Sequence, residues 1–145
     1  MAIEIIKDVK TGEVSQREYT PKPVPITLEQ VNAERDRRLE MDFTFNGKEF
    51  QRDQKSLSRI SGAASLAGFA IAQGAQPGDL RWHGGEDDFV WIASDNSLMP
   101  MDAQTVFAFG QVAANVETRI IFAAKQLREM DPIPAPATWE GWPDV

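Results

Sequence analysis

The chain has 145 residues, a formal net charge of −7, 42% hydrophobic residues and no cysteine. That length suits one domain with appendages, able to bury a core without a disulfide or metal staple. The absence of cysteine excludes thiol nucleophiles and thiolate metal sites, the acidic balance argues against nucleic-acid binding, and no stretch approaches the roughly 20 apolar residues of a membrane span.

The first residues, Met1 to Asp8, hold no long apolar run and carry an early acid. They do not read as a signal peptide, so the expectation is a protein that stays in the cytoplasm where it is made. Ile3–Val9 and Val14–Tyr19 are β-prone runs around a Lys10-Thr11-Gly12-Glu13 turn, which predicts a small hairpin. A lone two-stranded hairpin is marginally stable and has to dock, either on its own domain or on a neighbouring chain. Ile3, Ile5 and Tyr19 are the candidate contact residues on such an arm. Pro21-Lys22-Pro23-Val24-Pro25 follows, and its alternate prolines make a stiff, extended spacer. Residues 1–26 thus read as an arm.

A compact α+β domain is expected over 27–130. Thr27 and Gln30 form a capping box, with Ile26 and Val31 placed as a hydrophobic staple, so a helix starts at Leu28. Its body to Met41 has a thin apolar stripe of Leu28, Val31 and Leu39. Arg35 and Arg38 stand where that stripe would continue, either as a solvated face or as a partner-binding patch. Glu34 and Arg38 form a favourable i,i+4 pair. Phe43–Phe50 then alternates around Asn46-Gly47, the strongest short-range signal of a hairpin with a type I′ turn. Asp53 caps a second helix that runs to about Gln73, with a stripe of Leu57, Ile60, Ala64, Ala67 and Ile71. Gly62 and Gly68 within it each cost about 1 kcal/mol against alanine, which implies close approach of another backbone, from the same chain or a neighbouring subunit.

A second hairpin is predicted over Trp82–Ile92 around His83-Gly84-Gly85-Glu86-Asp87-Asp88, with a further turn at Asp95-Asn96. Asp102 caps a third helix reaching about Met130. Its stripe is Val106, Phe109, Ala113, Val116, Ile120, Ala123 and Leu127, widened by Phe107, Val112, Ile121 and Phe122. That breadth suits a central core helix better than a free coiled coil, though a helical bundle with other copies stays open. Residues 131–145, rich in proline, form neither helix nor central strand and read as an extended tail. Trp139 and Trp142 on that tail either pack on their own domain or insert into a partner, tryptophan being the most favoured interface anchor.

No catalytic constellation stands out. His83, the single histidine, lies near Glu86, Asp87 and Asp88, but the spacing fits neither HExxH nor an EF-hand loop. The expectation is a protein with no enzymatic activity, no cofactor and no metal. A small cell-wall hydrolase built on paired carboxylates is the weakest alternative.

Val31–Met130 resembles a domain of unknown function that recurs in proteins of tailed bacteriophages, near tail-fibre genes. The resemblance is carried by Val31-Asn32-Ala33-Glu34-Arg35-Asp36-Arg37-Arg38-Leu39, by Phe45-Asn46-Gly47-Lys48-Glu49-Phe50-Gln51-Arg52-Asp53 with Ser56, by Trp91 with Asp95-Asn96, and by Lys125-Gln126-Leu127. It implies no catalytic residues. It implies a virion component or an assembly factor, and with the arm–domain–tail layout the expectation is a structural component of the tail-fibre or baseplate region, made in the host cytoplasm, present in several copies and gripping other phage tail proteins through the hairpin and the Trp tail. The alternative is a tail-fibre assembly chaperone that binds transiently and is absent from the particle.

Overall fold

The computed structural model describes residues 1–145. The fold is α+β, with three long helices and three separate two-stranded antiparallel sheets. The chain begins with β1 (Ala2–Lys7) and β2 (Val14–Tyr19), which pair from Ala2–Tyr19 to Lys7–Val14. The exposed Pro-rich spacer leads to α1 (Leu28–Leu39), whose capping box closes as expected: Thr27 Oγ1 accepts from the Gln30 amide, and Gln30 Oε1 accepts from the Thr27 amide.

β3 (Phe43–Phe45) and β4 (Lys48–Phe50) follow, joined through Asn46 and Gly47 at φ +47° and +77°. Both turn residues are left-handed, as a type I′ turn requires. The hairpin directs Phe43, Phe45 and Phe50 inward onto Phe109, with ring centroids 5.3, 5.2 and 4.9 Å away. Trp91 closes the same aromatic cluster at 5.2 Å from Phe109.

α2 (Gln54–Ala72), capped by Asp53, runs antiparallel to α3 (Ala103–Arg128), capped by Asp102. All seven positions of the expected α3 stripe are buried. The flanking positions behave otherwise: Phe107, Ile121 and Phe122 face outward rather than widening the core. The closest approach of the two helices also lies elsewhere than expected. Gly62 faces open space, and a Cβ at Gly68 would make only ordinary contact with Phe107. A Cβ at Gly110 on α3 would collide with the Ala64 Cβ, so that glycine sets the spacing.

The second hairpin is displaced along the chain. Trp82–Ile92 is not a hairpin; residues 79–88 form a looping excursion closed by the Phe89 amide on the Leu80 carbonyl. The strands are β5 (Val90–Ile92) and β6 (Leu98–Pro100). Three consecutive acids and two glycines cannot alternate faces. Asp95 and Asn96 make the turn instead: Asp95 Oδ1 accepts from the Ser97 amide, and Asn96 sits at φ +67°. Each domain hairpin thus runs into a capped helix, β3–β4 into α2 and β5–β6 into α3.

Residues 131–145 do not project. After a 3₁₀ turn at Pro136–Thr138, the tail folds over α1 and α3, and Trp142 joins the core cluster. The domain therefore includes the segment that sequence reading set apart as an appendage.

Candidate interaction surfaces

The N-terminal hairpin is the segment least attached to the rest. No core residue, and no hydrophobic residue packed against the core, precedes Ile26. Its side-chain hydrogen bonds stay within it: Arg17 Nε donates to Glu4 at 2.7 Å, and Asp8 Oδ1 accepts from the amides of Lys10 and Thr11. Those amides hold the Asp8 carboxyl below its usual range. Opposed residues share a face, so Ile3, Ile5 and Val14 lie on one side, and Ala2, Ile6 and Tyr19 on the other. Ile3 and Ile5 are 62% and 67% exposed, and Tyr19 is also exposed. A two-stranded sheet with apolar side chains on both faces and no third strand has little to hold it.

The tail is the opposite case. Trp142 is 8% exposed, and its indole N–H donates to the Pro136 carbonyl at 2.7 Å. Half-buried Trp139 meets it edge-to-face at 5.5 Å. The Arg38 guanidinium lies 4.9 Å over the Trp142 ring, a cation–π contact. Arg38 Nε also donates to Glu34 Oε1 at 2.7 Å, and Arg37 donates to both Glu34 oxygens. Glu34 is consequently held below the usual carboxylate range, first by the Arg37 hydrogen bond and then by the charges of Arg37 and Arg38. Arg52, 1% exposed, donates from Nη2 to the Arg38 carbonyl at 3.1 Å. Burial pushes its guanidinium pKa down, opposed by Glu117 and Glu40. Trp142 and Arg38 are thus engaged in the protein's own fold, which for Trp142 is one of the two alternatives that the sequence leaves open. Arg35 stays on the half-exposed flank, bound to Asp36 and Asn32.

Of the candidate contact residues, the structure brings together Trp139, Trp142 and Arg38, while Ile3, Ile5 and Tyr19 stay apart from them on the arm. Sequence reasoning missed a groove of about 440 Å³ between α2 and β5, bordered by Gln51, Ser56 and Arg59 and by Val90–Ser94 with Asn96. It also missed the outward Leu66 and Phe69 of α2. The latter were legible as off-stripe apolar residues; the groove had no local signal. His83 stacks edge-on against Trp82 and Phe89, Glu86–Asp88 are exposed, and no group of three or more His, Asp or Glu side chains converges on a point.

Residues 25–139 match the model of a protein family described as Domain of unknown function (DUF4376). The chain belongs to that family. The DUF4376 match takes in α1, α2, α3 and both domain hairpins, and it begins after β1 and β2. No curated protein and no solved structure matches the chain.

Proposed function

We propose that this DUF4376 protein is a non-enzymatic structural component of a bacteriophage tail, in the tail-fibre or baseplate region, held to neighbouring virion proteins by its N-terminal hairpin. The observation that carries the attachment is the undocked β1–β2 sheet, apolar on both faces and set off by a proline spacer. Such a sheet gains its missing burial by packing on another surface. The position of the family match supports setting the hairpin apart, because it covers α1 to α3 with both domain hairpins and begins after β2. The phage setting is supported by the sequence resemblance at Val31–Leu39 and Phe45–Asp53. Attachment runs through one arm, since the Trp tail is engaged in the chain's own fold.

Mass spectrometry of purified particles tests this reading. The full chain is expected in the particle at a fixed stoichiometry, and a chain lacking residues 1–20 is expected to be lost from it. Absence of the full chain from particles that need it for assembly overturns the reading in favour of a transient chaperone.

A further inference from the structure

The groove beside β5 is bordered by an open sheet edge. The Ala93 amide donates to the Ser97 carbonyl, and the Met101 amide to the Phe89 carbonyl. Alternation along the ladder then turns the N–H and C=O of Val90 and Ile92 away from β6. Neither residue makes a hydrogen bond outside its own sheet. The opposite edge of the same sheet is blunted, because its outward residues are Leu98 and Pro100, and proline has no N–H. The sheet is therefore closed to a further strand on the β6 side; on the β5 side Val90 and Ile92 are open, whereas Ser94, the next outward residue, is already taken, its amide donating to the Glu49 carbonyl of β4 at 2.8 Å. Arg59, exposed on α2, is the only charged residue bordering the groove.

The chain carries a strand that fits this edge. The Asp8 amide donates to the Glu13 carbonyl, and the same ladder leaves the main-chain groups of Val14, Gln16 and Glu18 on the free edge of β2. Glu18 is a carboxylate with no ion pair, whereas Glu4, the other strand carboxylate, is taken by Arg17. Pro21–Pro25 holds the hairpin off its own domain, so delivery to another copy avoids bending a stiff spacer back on itself.

We infer that the β2 edge of the N-terminal hairpin of one copy adds to the β5 edge of a second copy, with Glu18 facing Arg59 of the recipient. Two marginal two-stranded sheets become one four-stranded sheet, and each gains the strand neighbour it lacks. Each copy donates one hairpin and offers one edge, so exchange closes as a reciprocal dimer or continues as a ring. This rests on the hairpin being an attachment arm, and it names the second copy as one of the surfaces that arm takes.

Sedimentation equilibrium of the full chain over a wide concentration range is the test. The expected result is concentration-dependent self-association that disappears when residues 1–20 are deleted; every core residue lies beyond them. Arg59→Glu is expected to weaken association about three- to tenfold, and Arg59→Glu with Glu18→Arg to recover it. Ile92→Pro, which removes an outward N–H, is expected to weaken it by more than about tenfold. A full chain that is monomeric throughout overturns the inference, as does association indifferent to Arg59→Glu. Either failure leaves attachment to other tail proteins standing, because loss of the hairpin-deleted chain from particles reads that separately.

Discussion

The N-terminal hairpin and the C-terminal tail both lie outside the α2–α3 pair, yet their apolar side chains meet different fates. Ile5 is 67% exposed, whereas Trp142 is 8% exposed. The hairpin pairs the inward half of its backbone groups through the β1–β2 ladder, while its outer edges and both faces stay free. The tail has no ladder. It is fixed by side chains of the body, with Arg38 over the Trp142 ring, Thr44 on the Val145 carbonyl and Arg119 on the Asp144 carbonyl, while the Trp142 indole ties the tail to its own Pro136 carbonyl. A segment with internal hydrogen bonding is free to serve as an arm, and one without it persists only if it is docked.

The comparison breaks most readily at Trp142. Trp142→Ala is expected to cost about 3–5 kcal/mol and to lower the melting temperature by roughly 10 °C, while Ile5→Ala stays within about 0.5 kcal/mol, both read by thermal unfolding. Glu34→Gln, which removes the anchor beneath Arg38, is expected to cost about 1–2 kcal/mol in denaturant titrations. Because the folded-state pKa of Glu34 lies below the ordinary value of 4.5, its contribution is full above that pH and drains as the pH falls through it. The stability difference between the wild type and Glu34→Gln is therefore expected to narrow as the solution is acidified below about pH 4.5. Arg38→Ala is expected to cost about 1–2 kcal/mol, and Arg38→Lys less, since lysine keeps a charge over the ring but loses the planar fork.

What could be read from the sequence was local. Asn46-Gly47 fixes its turn by its own φ angles, and Thr27, Asp53 and Asp102 cap helices three residues away. The α3 stripe follows from a 3.6-residue period over 26 residues. The failures share a dependence on distant partners. The β5–β6 pairing competes with the pairing that the sequence suggested across the acidic loop, and the turn at Asp95–Asn96 decides it. Arg52 is charged and neighbours charged residues, so nothing near it announces burial beneath the Arg38 carbonyl. The spacing of α2 and α3 is set by Gly110 because Ala64 stands opposite, a match between residues 46 positions apart. The open β5 edge was invisible for the same reason, since an edge exists only once the pairing is known.

The division into arm and integral tail is tested most directly by thermal unfolding of two truncations beside the full chain, measured at one low concentration. Removing residues 1–20 is expected to leave the melting temperature within about 2 °C of the full chain. Removing residues 132–145 is expected to lower it by roughly 10 °C or more, or to prevent folding. Equal losses from the two ends, or a larger loss from removing the hairpin, would contradict the account.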